Sequence, residues 1–398
     1  MGESFRFLHC ADLHLGAGFT GLSSVDAELG ARMVGSTFAA LGNLVSAAVR
    51  ENVDFVVISG DVFDGEAETP LTRSRFADAL AEIGVPCYVA YGNHDYRRRW
   101  ESSIPLPPNA HVFGPKPHHF SFERDGVEIA RIYGVSHSAK AVSKNLAEGI
   151  RGERGVYCIG AVHCDLDGPK GGLYSPCPSA SLVGKDIDYW ALGHIHKRAV
   201  TSKDPYVVYP GNTQGLSPKE TGERGAYVVT VRGGRTVALS FVRTSDILWL
   251  DADWDISDHD DLTGFVDSNA KGLEPGSLVN VRLRGSGPLD PLLRLDPEGF
   301  VELFEARTGC RCSGLSLGTY PEVDIGARRK SGDFISAVLD YADTLSRSGR
   351  QDILDAICST AASQSVRHLF EGMGDGELAD LVDAAALLVL DKSAGAGR

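Results

Sequence analysis

Leu8-His9-Cys10-Ala11-Asp12-Leu13-His14-Leu15-Gly16 contains the end of a predicted strand and the first polar pair of the chain. The strand-like part is short, from Arg6 to His9. Two polar side chains, Asp12 and His14, follow at the point where this strand ends. Because ligands bind at the carboxyl ends of strands in α/β sheets, the stretch predicts the beginning of a binding site on an α/β fold.

The same arrangement recurs four times farther along the chain. Each time, an apolar run typical of a buried strand leads directly into polar side chains. The runs and their endings are Asp54–Ser59 with Gly60-Asp61, Pro86–Tyr91 with Gly92-Asn93-His94-Asp95, Val156–Val162 with His163, and Tyr189–Leu192 with Gly193-His194-Ile195-His196. We expect the five endings to meet at one edge of the fold.

Helical patterns separate the early strands, and the pattern changes in the second half of the chain. Apolar residues recur at helical spacing from Leu29 to Ala48, and Thr69-Pro70 is typical of an N-cap and first turn. Near Thr244 the chain becomes richer in Asp, Gly and Pro. We predict a first domain over residues 1–243, a small accessory domain over 244–325, a helical region over 326–392 and a disordered tail over 393–398.

The composition is that of an ordinary globular protein. Of 398 residues, 43% are hydrophobic and 23% are charged, which fits two or three domains. No apolar run approaches the roughly 20 residues of a membrane span, and the start of the chain is not typical of a signal peptide. The eight cysteines are scattered along the chain, which indicates reduced thiols. We expect a cytoplasmic protein with no membrane contact.

The strand-end residues together predict a metal centre, although each one alone is weak evidence. Polar side chains that converge inside a fold are costly unless a charged group lies between them. Oxygen and imidazole ligands without thiolates suit Mn²⁺, with Mg²⁺, Fe²⁺ or Zn²⁺ as alternatives. One ion cannot use so many ligands, so we predict two divalent cations. A carboxylate shared between two ions would position a hydroxide for attack on phosphorus.

Along the chain the strand endings read, in order, D-x-H, G-D-x-x-D, G-N-H-D, a lone strand-end histidine and G-H-x-H. This series resembles the motifs of the calcineurin-like metallophosphoesterase superfamily. A finer resemblance, to its DNA-repair exonuclease branch of the SbcD type and especially to YhaO-like proteins, is carried by Leu8–Gly16, Ser59–Asp64 and Tyr209–Asn212. The motifs cover most of the span to about Val242. The resemblance implies a two-sheet αββα sandwich with a small α+β accessory (cap) domain and a C-terminal helical region.

The resemblance also implies a role for each strand-end residue. The ligands of the first metal would be Asp12, His14, Asp61 and His196. Asp61 would bridge to the second metal, whose ligands would be completed by Asn93, His163 and His194. His94 would contact the scissile phosphate and stabilise the transition state or protonate the leaving oxygen, and Asp95 would orient it. Asp64 stands where archaeal and eukaryotic members carry histidine, which leaves endonuclease activity open.

Two groups of residues are candidates for substrate contact. Tyr96-Arg97-Arg98-Arg99-Trp100 directly follows the predicted catalytic motif. The guanidinium groups of Arg97, Arg98 and Arg99 could bind phosphates, and Trp100 could stack on a base. The alternative interpretation is a solvated charged loop. Lys197 follows the last metal histidine and is a weaker candidate of the same kind.

The resemblance implies partners as well as a reaction. We expect DNA as substrate, and a nucleoid-associated location in the cytoplasm follows from it. In SbcD-type enzymes the C-terminal region docks on an SMC-like ATPase of the SbcC type, and the apolar stripe from Leu378 to Val389 fits such docking. A homodimer through the helix at Leu29–Val49 or the helix at Leu71–Ile83 is the other expected assembly.

Two alternatives to a DNA nuclease with an ATPase partner stay open. The formal net charge of −14 opposes binding to a polyanion and favours a small-molecule phosphodiesterase or phosphatase, with a cyclic nucleotide or nucleotide-type substrate on the same metal site. A protein phosphatase is less consistent, because Asp64-Gly65 lacks the arginine that follows G-D-x-x-D in such enzymes. A catalytically inactive interaction protein is the third class, and it is opposed by the complete set of ligand positions.

Overall fold

The computed structural model describes residues 4–18, 27–65, 68–97, 99–321, 330, 332–359 and 367–395. Two compact units are present. The first comprises Met1–Leu250 with Gly276–Asn280, and the second comprises Asp251–Pro275 with Val281–Arg398. The predicted α/β class is confirmed, and the predicted division of the second half into an accessory domain and a helical region stays a prediction.

The first unit is built on two six-stranded sheets and two helices, with a small two-stranded sheet formed by Asp165–Leu166 and Pro176–Cys177. The helices are α1 (Ala27–Arg50) and α2 (Pro70–Ile83). The strands are β1 (Phe5–Cys10), β2 (Phe55–Ser59), β3 (Cys87–Ala90), β4 (Ala110–Val112), β5 (His118–Arg124), β6 (Val127–Val135), β7 (Tyr157–His163), β8 (Asp165–Leu166), β9 (Pro176–Cys177), β10 (Tyr189–Gly193), β11 (Ala199–Lys203), β12 (Tyr206–Tyr209), β13 (Gly225–Arg232) and β14 (Arg235–Arg243).

Both six-stranded sheets have a parallel centre, with one antiparallel edge in the first sheet and two in the second. The first sheet has the order β14-β13-β1-β2-β3-β4, in which β1 to β4 run parallel and β13 pairs antiparallel with β1. The second has the order β11-β12-β10-β7-β6-β5, in which β12, β10, β7 and β6 run parallel. The parallel strands therefore send their carboxyl ends toward common edges, where a site can form.

The two sheets pack face to face through an aromatic core. Phe7 stacks on Phe55 within the first sheet, with ring centroids 5.2 Å apart, and meets Tyr189 of the second sheet edge-on, also at 5.2 Å. The alternation of a strand places Phe5 and Phe7 toward the other sheet, while Leu8 belongs to the core beneath the helices. This packing confirms the two-sheet sandwich.

Helices α1 and α2 cover the outer face of the first sheet. The predicted helix start is confirmed, because the side chain of Thr69 accepts a hydrogen bond from the backbone N–H of Thr72. Gly84 ends α2 in the left-handed conformation, with φ of 74°. The outer face of the second sheet is covered differently. Within residues 136–188, all of which are described, the helical segments are short 3₁₀ turns at Leu146–Gly149 and Ser179–Leu182.

The second unit contains helices of varied length and most of a three-stranded sheet of order β15-β16-β17. The strands are β15 (Trp249–Asp255), β16 (Leu278–Gly287) and β17 (Arg311–Pro321). The helices are α3 (Leu262–Asn269), α4 (Asp290–Leu295), α5 (Pro297–Thr308), α6 (Phe334–Ser346), α7 (Arg350–Ile357), α8 (Arg367–Glu371) and α9 (Asp375–Gly395).

The C-terminal helices bury part of the stripe for which we predicted docking. Leu378 and Val382 are buried in a core shared with Ile335, Leu339 and Leu354. The exposed part of the stripe is its later end, where Leu388 is 47% exposed.

The last helix extends into the predicted disordered tail. Helix α9 continues to Gly395, so residues 393–395 of the predicted disordered tail are helical, and residues 396–398 lie outside the described part. Among the described residues, no helix is long and apolar enough to cross a bilayer.

Two glycine substitutions should have opposite effects on stability. An added Cβ at Gly160 on β7 would lie 2.5 Å from the ring of Trp190, which is fully buried. Gly160→Ala should lower the free energy of unfolding by about 1–3 kcal/mol, since a packed interior cannot absorb the group without shifting. At Gly42 in α1 an added Cβ meets nothing within 4 Å. Gly42→Ala should raise stability by about 0.5–1 kcal/mol, because alanine favours a helix interior.

Urea unfolding followed by circular dichroism measures both effects. A Gly160→Ala variant as stable as the parent protein would contradict the packing described for β7 and β10.

Candidate metal centre and active site

The carboxyl ends of strands from both sheets meet at one place. Two backbone hydrogen bonds hold the loop after β1 against the loop after β2. The N–H of Asp12 donates to the carbonyl of Gly60, and the N–H of His14 donates to the carbonyl of Asp61, both at 3.0 Å. In the second sheet, Gly193 and His163 are register partners at the ends of β10 and β7. The structure therefore brings the five polar strand endings together.

One group of ligand atoms combines the first loop with the last. Single ligand atoms of Asp12, His14 and His196 all lie within 4.8 Å of one another. The Nε2 atoms of His14 and His196 are 3.1 Å apart. The Nδ1 atom of His196 lies 2.5 Å from Oε1 of Glu220. If Nδ1 donates its proton to that carboxylate, Nε2 presents its lone pair to the shared position, as a metal-ligating histidine does.

A second group lies beside the first and shares the carboxylate of Asp12 with it. Single ligand atoms of Asp12, Asp61 and His163 also lie within 4.8 Å of one another. Nε2 of His163 is 3.2 Å from Oδ2 of Asp61 and 3.1 Å from Oδ1 of Asn93. Oδ2 of Asp61 is also 3.8 Å from Nε2 of His14, so this carboxylate faces both groups.

The second group contains an electrostatic conflict that a cation would resolve. Nδ1 of His163 lies 3.0 Å from the carbonyl of Ser59, to which it donates its proton. The other nitrogen, Nε2, then faces oxygen acceptors of Asp61 and Asn93, and a lone pair directed at acceptors is unfavourable without a positive charge between them. Although burial opposes it, the carboxylate of Asp61 raises the pKa of His163 to about 9. A proton or a divalent cation is therefore required at this position.

The two central carboxylates are buried beside imidazoles. Asp12 is fully buried and Asp61 nearly so. Within the described ranges, their ion-pair contacts are with histidine and not with lysine or arginine. Burial raises the pKa of Asp12, whereas the imidazole of His163 overcomes burial and lowers the pKa of Asp61. Two buried carboxylates without a lysine or arginine partner in the described ranges are costly, and this donor set fits divalent cations with oxygen and nitrogen ligands.

His194 lies at the border of the site. Its backbone N–H donates to both carboxylate oxygens of Asp12 at 3.1 Å. Its ring centroid is 5.3 Å from that of His163 and 5.0 Å from that of Tyr174. Burial lowers the pKa of His194 to about 4, so the imidazole is neutral and can act as a ligand.

Glycines precede the ligands because the loops approach each other closely. An added Cβ at Gly92 would lie 2.1 Å from Oδ1 of Asp61, and one at Gly193 would lie 1.9 Å from the carbonyl of Ser59. The ligand loops also hold non-glycine residues in the left-handed region, which is costly and is common at functional sites. The residues and their φ angles are Asp12 at 52°, His14 at 43°, Asp61 at 47° and His194 at 105°.

His94 contacts a carboxylate other than the one we predicted. Its Nδ1 lies 2.8 Å from Oδ1 of Asp64, which is also 3.5 Å from Nδ1 of His14. Hydrogen bonds from His14 and His94 lower the pKa of Asp64, and the hydrogen bond that His94 donates to Asp64 raises the pKa of His94. The backbone N–H of His94 donates to Oδ1 of Asp61 at 2.9 Å. The imidazole is therefore oriented beside the two ligand groups.

The orienting role that we predicted for Asp95 does not match its contacts. Its carboxylate is buried and accepts three backbone N–H groups, from Val62 at 3.0 Å, Phe63 at 2.7 Å and Gly92 at 2.9 Å. Burial raises its pKa to about 6. Asp95 thus fixes the loops after β2 and β3, and Asp64 fills the position next to the imidazole of His94.

The basic stretch after His94 is partly held by its neighbours. Nε1 of Trp100 donates to the carbonyl of Glu68 at 2.9 Å, and the backbone N–H of Arg99 donates to a carboxylate oxygen of Glu68. Nε of Arg97 donates to the hydroxyl of Tyr96 at 2.8 Å. Arg98 lies outside the described residues. Arg97 and Arg99 are exposed, while Trp100 is half-buried.

Sequence reasoning missed several contacts to the predicted ligands. Glu220 contacts His196 from 24 positions away, on a loop with no pattern of its own. Nε2 of His137 donates to the carbonyl of His163 at 2.8 Å, and Tyr174 packs beside His194. In each case the contact arises from loops that meet in three dimensions, and a local sequence pattern does not encode it.

Overlapping carboxylate and imidazole groups at the edge of a two-sheet sandwich define a metal-dependent phosphoester hydrolase. Residues 5–198 match the family model of calcineurin-like phosphoesterases. The chain is similar to the metallophosphoesterase YhaO of Bacillus subtilis, with 39% identity over 316 residues, which cover 76% of this chain and 77% of that protein. The chain belongs to the calcineurin-like phosphoesterase family.

More distant similarity extends to named nucleases and repair proteins. The DNA double-strand break repair protein Mre11 of Aeropyrum pernix is 24% identical over 324 residues, which cover 76% of this chain and 75% of that protein. The SbcD component of the SbcCD nuclease of Escherichia coli K12 is 26% identical over 272 residues, which cover 58% of this chain and 66% of that protein.

Removal of the carboxylate beside His94 should lower turnover and change its pH dependence. In Asp64→Asn we expect kcat on bis-p-nitrophenyl phosphate to fall about 10- to 100-fold, the usual effect of losing an orienting partner. Because Asp64 raises the pKa of His94, the variant imidazole should lose its proton at lower pH. If protonated His94 is the active form, the alkaline limb of the pH–rate profile should move to lower pH.

Asp95→Asn is the matched control for this change. It should reduce the midpoint of thermal unfolding, because it weakens the anchor of three backbone N–H groups. An Asp64→Asn enzyme with an unchanged pH profile would contradict the orienting contact.

Metal binding should stabilise the folded protein through Asp61. After removal of metals by chelation, addition of Mn²⁺ should raise the unfolding temperature of the parent protein, because a ligand that binds the native state stabilises it. In Asp61→Asn the rise should be much smaller, since this carboxylate faces both ligand groups. Differential scanning calorimetry measures the shift, and Asp78→Asn, on the exposed face of α2, is the control. Equal shifts in all three proteins would contradict a metal site at Asp61.

Proposed function

We propose that this protein is a two-metal phosphodiesterase that hydrolyses DNA phosphodiester bonds as an exonuclease in DNA repair or processing. The observation that carries the proposal is the pair of overlapping ligand groups that share Asp12 and face the Asp61 carboxylate, with His94 oriented beside them. The names of the similar proteins in Aeropyrum and Escherichia support DNA as the substrate class.

We assign the ligands as the family resemblance implies, and the two observed ligand groups support the core of this assignment. The first cation would be held by Asp12, His14, Asp61 and His196, and the second by Asp61, Asn93, His163 and His194. When bound, two divalent ions lower the pKa of a coordinated water and neutralise charge on a phosphoryl group. The most suitable ion for this donor set is Mn²⁺, with Mg²⁺, Fe²⁺ and Zn²⁺ as alternatives.

His94 acts on the substrate in this proposal. Its Nδ1 is bound to Asp64, so Nε2 is left for the phosphoryl oxygen or the leaving oxygen. The hydrogen bond to Asp64 raises the pKa of the imidazole and favours the protonated form. A protonated imidazole can stabilise negative charge in the transition state and donate a proton to the leaving alkoxide.

Exposed cations near the site are proposed contacts to the DNA backbone. They are Arg97, Arg99 and Lys197, and Trp100 is a proposed stacking surface for a base. Arg98, for which the sequence predicts the same role, lies outside the described residues. Contacts of this type position a strand without reading its sequence, so we expect little sequence preference.

Exposed apolar residues support the proposed assemblies. On α6, Phe334 is 74% exposed and Tyr341, seven positions later, is 63% exposed. These aromatic side chains lie on one face of the helix and are suited to an SMC-like ATPase of the SbcC type. Val34 on α1 and Leu71 on α2 are also exposed, which supports a homodimer through these helices. The cytoplasm, in association with the nucleoid, is the location that fits such a complex.

Hydrolysis of end-labelled DNA tests the proposed substrate. With Mn²⁺, the parent protein should shorten single- or double-stranded DNA, and His94→Gln should be slower by about 10²- to 10⁴-fold, the usual contribution of a general acid. Hydrolysis of bis-p-nitrophenyl phosphate by the same preparations is the control for the metal site.

The substrate assay separates the proposed function from its alternative. If the parent protein cleaves only the small phosphodiester, with or without an added SMC-like ATPase, the DNA proposal is wrong. A small-molecule phosphodiesterase, which the net charge of −14 favours, would then be the better interpretation.

A further inference from the structure

A cleft with four lysine or arginine residues in its lining opens directly beside the candidate metal centre. Its volume is about 480 Å³, within the range of sites that bind nucleotide-sized groups. His196 forms part of its wall, and the same residue places Nε2 3.1 Å from Nε2 of His14. The cleft and the first ligand group therefore share His196.

Four cationic side chains line this cleft. They are Lys197, Arg198, Lys219 and Arg224, against two carboxylates, Glu220 and Glu223. Glu220 is already engaged, because its carboxylate contacts Nδ1 of His196 and accepts the backbone N–H of Leu216 at 2.6 Å. The local charge is thus positive in a chain whose formal net charge is −14.

Two of these cations are held in place and two are free. Arg198 lies over the ring of Phe241, 4.0 Å from its centroid, and Arg224 donates to the carbonyl of His196 at 2.6 Å. Nε of Arg224 is buried and finds no hydrogen-bond partner in the described part of the chain. The amines of Lys197 and Lys219 are exposed and, among the described residues, make no hydrogen bond or ion pair.

We infer that this cleft binds a second phosphate of the substrate strand, next to the phosphodiester that is cleaved. The inference rests on the proposed function, because it names the part of the DNA strand that lies outside the metal centre. A scissile phosphate at the metals would leave the cleft free for its neighbour along the strand. Fixed guanidinium groups and free lysine amines are the groups that proteins use to bind phosphates.

Competition between two nucleotides tests the cleft without requiring DNA cleavage. Hydrolysis of bis-p-nitrophenyl phosphate with Mn²⁺ is measured in the presence of thymidine 5′-monophosphate or thymidine 3′,5′-bisphosphate. The bisphosphate should inhibit the parent protein at least about tenfold more strongly, a difference of about 1.4 kcal/mol, because its second phosphate accepts charge-assisted hydrogen bonds. In Lys197→Gln/Lys219→Gln this preference should fall by about tenfold.

Lys116→Gln is the matched control, because Lys116 is an exposed lysine outside the cleft. Its preference for the bisphosphate should equal that of the parent protein. Equal inhibition of the parent protein by both nucleotides, or a preference that survives in the double variant, would overturn the inference.

The salt dependence of DNA cleavage gives an independent readout. With a single-stranded oligonucleotide, log kcat/KM should fall with log salt concentration, and each lost phosphate contact should reduce the slope by about 0.7. A double variant with an unchanged slope would also contradict the inference. If no oligonucleotide is cleaved, with or without an added SMC-like ATPase, the DNA substrate is wrong, whereas the competition assay still decides whether the cleft binds a second phosphate.

Discussion

Buried negative charge at the edge of the two sheets is the constraint on which the rest of the site depends. Asp12 and Asp61 lie out of contact with water, and their charged neighbours among the described residues are imidazoles. A fold keeps such a pair only when a cation compensates it. The surrounding backbone is adapted to the same position: glycine at 92 leaves room for the Asp61 carboxylate, and four of the predicted ligands have positive φ angles. The strained backbone angles of the ligands and the close contact between the loops are thus consequences of the positions that the two carboxylates occupy.

The sandwich is required because neither sheet contains the complete ligand set. The first sheet supplies Asp12, Asp61 and Asn93 from loops after its parallel strands, and the second supplies the histidines at 163, 194 and 196. The packing between the sheets sets the distance between these donors. The aromatic contact of Phe7 with Tyr189 and the contact between His9 and the Tyr189 hydroxyl lie in that interface, a few residues before the first ligand. Packing in the interior is therefore coupled to the geometry of the site.

The sequence made the strand endings predictable because buried apolar runs and the polar residues after them are local features. The cap at Thr69 and the end of α2 at Gly84 were predictable for the same reason. The carboxylate partner of His94 was not predictable in this way. Asp95 is adjacent in sequence, but its oxygens accept backbone N–H groups. Asp64 contacts the imidazole from another loop. The contact of Glu220 with His196 and the burial of Leu378 could not be predicted either, because both depend on which segments meet in the folded chain.

The acidic net charge is compatible with a polyanionic substrate, because a bound phosphate responds to the charges near the site and not to the net charge of the whole chain. Exposed charges farther apart than about 8–10 Å are largely screened at physiological salt, so distant carboxylates have little effect on a bound phosphate. The groups that act on it are those within a few ångströms. At the candidate site these are the cationic side chains from Lys197 to Arg224 and, when bound, two dications. The acidic side chains on the rest of the surface would then repel nucleic acid. Binding would be confined to the orientation in which the strand enters the metal centre.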